Sequence, residues 1–364
     1  MVKNSLADKL IKASKNSYAG SIDVCEIYKP GGFYDTGNYM MNAVLSGSVM
    51  KGLRSGWILQ LAGEKSTGKS LICLNILINH VKSGKKNYSI LFETEGALMA
   101  ENIQEQLTPE ERSRFLLFPC FSVENTQEQM ANMLDTIMAD EDKDIKYIWA
   151  IDSLGMLPSE KEIDNSKKEN APKDMTKAQS TKSLFRTSVM KLAVLKIPLI
   201  LVNHTYATMS QYIPDEVSGG SGPAFANSIT LILSKKKLRD KDKIQVGAVF
   251  TVTPRKSRVV AENISSIEIY SRFDTGITKY AGLFEFLKNV GKIKAVGNGS
   301  KGGSTFTFVD TNESFTSGDF AKMKPSEFWN KKRLEYVDKV FQDLYLLKTA
   351  KDRGLDEVFE EAEA

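Results

Sequence analysis

The chain has 364 residues, 49 lysines and arginines against 45 acids, a net charge of +4 and 41% hydrophobic residues. That supports one large core with small appendages, in a composition of ordinary globular type. No segment approaches the roughly 18 uninterrupted apolar residues of a membrane helix, and the basic start lacks the apolar stretch of a secretory signal. Cys25, Cys73 and Cys120 have no metal-type spacing and read as free thiols of a reducing compartment, so cytoplasm is expected.

In chain order, residues 6–14 predict a helix with Leu6, Leu10 and Ile11 apolar and Lys9, Lys12 and Lys15 charged. It is too small to fold alone, so docking on a neighbouring copy is expected to bury its apolar face. Residues 57–61 read as a buried strand and 69–82 as a helix. A strand at 89–92 and a helix at 97–107 follow. The strand 115–118 leads into a helix that Thr126 can cap, with Met130, Met133, Leu134 and Ile137 on one face. A strand at 147–151, a polar loop, a helix at 174–195, a strand at 199–202, a Gly-rich loop and a strand at 229–233 complete the series. Strand–helix–strand alternation with continuously apolar strands predicts an α/β fold: a mostly parallel sheet with helices on both faces. Residues 246–252 and 265–270 read as antiparallel additions at a sheet edge. Residues 297–303 read as a flexible linker and 325–349 as an amphipathic helix. The expected organisation is a helical docking segment at 1–30, a core at 31–286, and a small C-terminal domain with an acidic tail at 287–364.

Charge is unevenly spread. Residues 174–196 carry Lys177, Lys182, Arg186, Lys191 and Lys196 against one acid, Asp174, and 235–243 is again mostly basic. From Asp352 on, six acids face Arg353 alone. A basic body with an acidic tail suits a protein whose access to a polyanion is regulated.

The strongest motif is Gly63-Glu64-Lys65-Ser66-Thr67-Gly68-Lys69-Ser70, a full Walker A match between a predicted strand and a predicted helix. Backbone amides of such a loop and the helix N-terminus form a cradle for polyphosphate. Lys69 is expected to reach the β- and γ-phosphates of ATP, and the Ser70 hydroxyl to sit on Mg²⁺. The apolar strand 147–151 runs into Asp152, an acid placed to hold Mg²⁺ through water beside the phosphates. Glu93 and Glu95 leave the strand that follows the Walker A helix. Glu95 is the candidate base that polarises the attacking water.

The order of the Walker A loop, Glu93 and Glu95, Asp152-Ser153, Asn203-His204 and Gly219-Gly220 resembles the RecA-type recombinases, and the phage UvsX recombinases most closely. The runs Leu10-Ile11-Lys12-Ala13-Ser14, Met40-Met41-Asn42, Leu45-Ser46-Gly47, Asp152-Ser153-Leu154-Gly155, Lys182-Ser183-Leu184-Phe185-Arg186, Asn203-His204-Thr205-Tyr206 and Lys256-Ser257-Arg258 look like that family's, over roughly residues 5–290. The resemblance implies a RecA-like P-loop ATPase core, and a helical homo-oligomer on single-stranded DNA with ATP between protomers. It also implies pairing with homologous duplex DNA in the cytoplasm of an infected cell. A recombination mediator and a single-strand-binding protein are further candidate partners. By the same resemblance Glu95 matches the catalytic glutamate and His204 the γ-phosphate sensor. Lys256 and Arg258 match the basic pair reaching a neighbour's γ-phosphate. Met99 and Asn102 stand where cellular RecA holds adenine with an aromatic and an acid. The part after Leu287 matches poorly.

Two loops leave the carboxyl edge of the predicted sheet, at about 154–173 and 205–223, long enough to imply function. The first carries Lys161, Lys167, Lys168 and Lys173 with four acids; Arg186, on the helix after it, is the better single phosphate contact. The second offers Tyr206, Met209, Tyr212 and Ile213 for stacking, and Gly219, Gly220 and Gly222 for freedom and amides. Two other readings share the motifs: a ring-forming helicase-like motor, and a regulatory ATP-binding paralogue that exchanges no strands.

Overall fold

A computed structural model describes residues 6–29, 31–167, 176–206, 216–217, 221–240, 242–261, 264, 266–298 and 304–347. Its centre is one sheet built from β1 (Ile58–Gly63), β2 (Asn87–Glu93), β3 (Phe115–Pro119), β4 (Lys146–Asp152), β5 (Leu199–Tyr206), β6 (Ile229–Arg239), β7 (Gln245–Lys256), β8 (Ile267–Arg272) and β9 (Gly276–Ile277). The spatial order is β3-β2-β4-β5-β1-β6-β7-β8-β9. The first six strands are parallel and the last three join antiparallel, so the mostly parallel α/β sheet and its antiparallel edge are as expected. All six residues of β1 are buried, because both faces of the sheet are covered.

Alternate residues of each strand feed two cores. Leu59, Leu61, Leu91, Ile148, Ile200 and Val202 pack with helix α1 (Lys69–Lys82) on one face. Ile58, Ile90, Trp149, Ile151, Leu199 and Leu201 pack on the other with α2 (Val123–Ala139) and α3 (Thr176–Val194). The α2 N-cap is Ser122, whose Oγ accepts from Asn125 N at 2.9 Å, and not Thr126. Thr126 is buried inside the first turn and its hydroxyl donates back to Ser122 O at 2.8 Å, so it cannot cap.

The helix Leu6–Ala13 buries none of its residues, and Leu6 and Leu10 are exposed. The segment after it is anchored by Lys196, whose ammonium donates to Glu26 O, Ile27 O and Lys29 O. At the other end, Gly297 and Asn298 close the strand Ile293–Asn298, which pairs with Ser304–Phe308. They therefore belong to a hairpin and not to a linker between units. The amphipathic region from 325 is two helices, Pro325–Phe328 and Lys331–Tyr345, broken at Trp329. No helix among the described residues is long and apolar enough to cross a membrane.

Candidate nucleotide and nucleic-acid site

Strand register brings the predicted residues into one row at the carboxyl edge of the sheet. Gly63 at the end of β1 pairs with His204 of β5, and Glu93 at the end of β2 pairs with Asp152 of β4. Parallel strands ending together make this edge the natural ligand crevice. The Walker A loop leaves β1 and enters α1 at Lys69, with Gly68 as N-cap at φ 90°. Glu64, Lys65 and Ser66 are exposed, whereas Thr67 is buried and its hydroxyl donates to Glu64 O at 2.9 Å. The buried Lys69 ammonium donates to Gly63 O at 3.0 Å and Glu64 O at 2.6 Å, holding the loop closed around its own cation. Burial lowers the Lys69 pKa, against the opposing charges of Asp152 and Glu95.

The turns after β2 and β4 are laced together. Thr94 N donates to Asp152 O at 3.1 Å, Ser153 N to Thr94 Oγ1 at 2.7 Å, and Thr94 Oγ1 to Ser153 O at 3.0 Å. The Asp152–Ser153 peptide is cis. Ser153 Oγ donates to Glu95 Oε1 at 2.8 Å, and His204 Nε2 lies 3.8 Å from the same oxygen. Glu95 is exposed toward the crevice. Glu93 plays another part. Its carboxylate accepts from Glu95 N at 3.0 Å and Gly96 N at 2.9 Å, and so shapes the turn that presents Glu95.

Burial pushes the Asp152 carboxyl up to about 6, helped by the negative charges of Glu95 and Glu93 and opposed by a hydrogen bond from Ser70 and by Lys69. Burial also lowers His204, with the Lys69 charge adding to it, so the neutral imidazole is favoured at pH 7. Ser70 hydroxyl and Asp152 carboxylate, which interact with each other, are hard oxygen groups of the kind that hold Mg²⁺, Asp152 through water, when substrate phosphates supply the rest. No cluster of three or more His, Cys, Asp or Glu able to hold a metal occurs among the described residues.

Beside this row lies a cavity of about 580 Å³, running from Ser70, Asp152 and Glu95 past Met99, Asn102 and Ile103 to Thr275, Gly276 and Ile277. Its size and largely apolar far end suit a nucleoside. The Thr275–Ile277 wall was not legible in the sequence, because it reaches the crevice only through the antiparallel edge strands. A second cavity of about 470 Å³ flanks the other side of the loop. It is lined by Gly63–Thr67, Thr205 and the run from Ile232 to Lys237, so part of the basic stretch noted in the sequence borders the Walker A loop directly.

The expected nucleic-acid residues divide. Arg186 is exposed on α3. Of its four basic neighbours in 174–196, Lys177 donates to Gly155 O at 2.9 Å, Lys191 pairs with Asp135 and Lys196 anchors the N-terminal segment, so three of the four serve the fold. In the first loop Leu154–Met156 and Glu160–Asn165 are short helices, the second with a capping box from Ser159 and Glu162. Lys161 is exposed there, and Lys167 pairs with Asp164 at 3.6 Å. In the second loop Glu216–Val217 pairs with Thr205–Tyr206, and Ser221–Ala226 is helical. Gly222 is therefore no hinge: a Cβ there would meet Lys182 Cα at 3.1 Å, so its bareness lets this helix approach α3. Lys168, Lys173, Met209, Tyr212, Ile213, Gly219 and Gly220 lie outside the described residues, as does the side chain of Tyr206.

Lys256, at the end of β7, donates to Ala224 O and Asn227 O, while Arg258 is exposed two residues on. Burial lowers the Lys256 pKa, and the Arg258 charge adds to it.

No protein-family model matches the chain. Over 297 residues it is 30% identical to the "Recombination and repair protein" of Enterobacteria phage T4, an alignment covering 81% of this chain and 73% of that protein. With identity at that level along most of both sequences, the chain belongs to the family of the phage T4 recombination and repair protein.

Proposed function

We propose that the protein is a RecA-type recombinase acting in recombination and repair: a DNA-dependent ATPase that polymerises on single-stranded DNA and promotes pairing and strand exchange with homologous duplex. The observation that carries this reading is the single row of Lys69, Ser70, Asp152, Glu95 and His204 at one sheet edge, beside a nucleoside-sized cavity. The phage relative, named for recombination and repair, supports the biological context, and the cytoplasm of an infected cell is the expected compartment.

In this reading Lys69 exchanges its two loop carbonyls for phosphate oxygens when ATP binds, which opens the amides of residues 64–68 toward the ligand. Ser70 and Asp152 are the residues to hold Mg²⁺, which when bound neutralises phosphate charge. Ser153 fixes one oxygen of Glu95, leaving the other to take the proton of the attacking water. His204 lies on the strand that continues into the second loop and faces Glu95, which suits a group relaying nucleotide state to DNA contacts. Lys256 and Arg258 supply positive charge to a neighbouring protomer's phosphates. The apolar face of the Leu6–Ala13 helix, exposed among the described residues, favours assembly over a lone protomer.

The test is ATP hydrolysis with and without single-stranded DNA, followed by strand exchange between homologous substrates. Strong stimulation by the strand and exchange are expected, and Lys69→Ala should lose nucleotide binding. Unstimulated hydrolysis with closed rings in electron micrographs would instead indicate a helicase-like motor.

A further inference from the structure

The Lys256 ammonium makes three hydrogen bonds: to Ala224 O at 2.9 Å, Asn227 O at 2.7 Å and Asn227 Oδ1 at 3.1 Å. An ammonium has three donors and no more. All are committed to the last turn of the Ser221–Ala226 helix and the residue after it, where the second loop returns to the sheet. Lys256 therefore cannot donate to a phosphate without giving up at least one of these acceptors.

Asn227 is fully buried, and its side chain is fixed from the far side. Its Nδ2 donates to Gln60 Oε1, on the strand that ends in the phosphate loop, and to Thr230 Oγ1 at 3.0 Å. Its amide donates to Pro223 O at 3.0 Å, and Ser228 N donates to Ile58 O at 2.8 Å. One buried amide thus joins the phosphate-loop strand, the exit of the second loop and the lysine.

We propose that Lys256 alternates between two sets of acceptors, the exit of the second loop in the lone protomer and a phosphate of the adjoining protomer in the assembly, with Asn227 as the positioning residue that sets the balance. This rests on the function proposed above, which supplies the second acceptor. By reciprocity, a ligand that draws Lys256 away loosens the return of the second loop, and a strand that reshapes that loop frees Lys256 for the phosphate. The coupling needs no long pathway, because both sites compete for the same three protons.

Asn227→Asp and Asn227→Ala test it together. The aspartate is close to isosteric. Thr230 Oγ1 and Gln60 Nε2, which has no hydrogen-bond partner among the described residues, can both turn to donate to it, so the fold is kept. A carboxylate holds the ammonium more tightly. The ATP concentration that half-saturates DNA-stimulated hydrolysis should rise about tenfold, the size of one charge-assisted hydrogen bond. Asn227→Ala removes one acceptor and should lower that concentration. A purely structural role would shift both variants the same way. Independently of catalysis, Lys256→Met should speed hydrogen exchange at the Asn227 amide in the nucleotide-free protein. If wild-type hydrolysis is DNA-stimulated yet the two variants match it or move together, or if Lys256→Met leaves that exchange unchanged, the alternation is refuted while the recombinase reading stands. A wild-type protein without DNA-stimulated hydrolysis refutes both.

Discussion

Replacing Gly68 by alanine should abolish nucleotide binding through packing, without touching any phosphate contact. Gly68 sits at φ 90°, a conformation that costs an L-residue about 1–2 kcal/mol. A Cβ at this position would lie 2.2 Å from Phe250 Cε1 and 2.7 Å from two further ring atoms. Phe250 comes from the antiparallel strand β7, is 2% exposed and belongs to the main core, so it has no room to swing away. Forcing it aside adds about 1–3 kcal/mol, for a total of about 2–5 kcal/mol. At about 2 °C per kcal/mol for a large domain, the unfolding temperature should fall by about 4–10 °C. Thermal unfolding and binding of a fluorescent ATP analogue measure the two effects. Adding Phe250→Leu should restore part of the unfolding temperature by relieving the clash, while the backbone strain remains. Unfolding of Gly68→Ala at the wild-type temperature, or no rescue from Phe250→Leu, would show that the ring does not set the shape of the loop.

Other expectations concern catalysis and acid stability. Glu95→Gln should keep ATP and DNA binding but stop turnover. Ser153→Ala, which releases one oxygen of Glu95, should slow turnover about tenfold with ATP affinity unchanged; equal rates would show that the serine does not position the base. Arg258→Ala should lower DNA-stimulated hydrolysis by about 10³-fold or more, and wild-type rates would discard the charge supplied by a neighbour. His80, buried near the end of α1, is a stability probe. Its Nε2 faces Lys146 O at 3.2 Å, and burial, first among its causes, lowers its pKa to about 4. Because the folded value lies below the unfolded one near 6.5, His80 contributes stability that is present above pH 6.5 and lost as pH falls toward 4. That component is about 3 kcal/mol at most. Denaturant titrations of His80→Gln should lack it, and identical acid profiles would contradict the assignment.

The phosphate loop, Asp152 and the acids after β2 were legible because each rests on local rules, a strand ending in a turn with fixed residue types. Parallel register then aligned them without further information. What could not be read depends on partners distant in sequence. The Thr275–Ile277 wall of the cavity comes from an edge strand, Gly222 serves a helix contact with Lys182, and three of the five basic residues of 174–196 are held by backbone oxygens or an aspartate elsewhere. The Ser122 cap was missed because Thr126 offers the same chemistry four residues later, and only the start of the helix decides between them. Charge runs mislead in the same manner, since a lysine's partners are set by tertiary structure.

The main hydrophobic core continues into the C-terminal part of the chain. Phe308, Phe315, Phe328, Trp329, Leu334, Val337 and Phe341 pack continuously with Leu283, Phe286, Leu287 and the sheet residues beneath α1. Ala261 N donates to Tyr345 O at 2.8 Å, and Leu347 N to Val259 O at 2.9 Å. The region after 287 thus completes the core beneath the sheet, and cutting it away would leave Leu283, Phe286 and Leu287 facing water. Heating should melt both parts in a single cooperative step. Through those two hydrogen bonds the last helix and the segment that begins one residue after Arg258 hold each other in place.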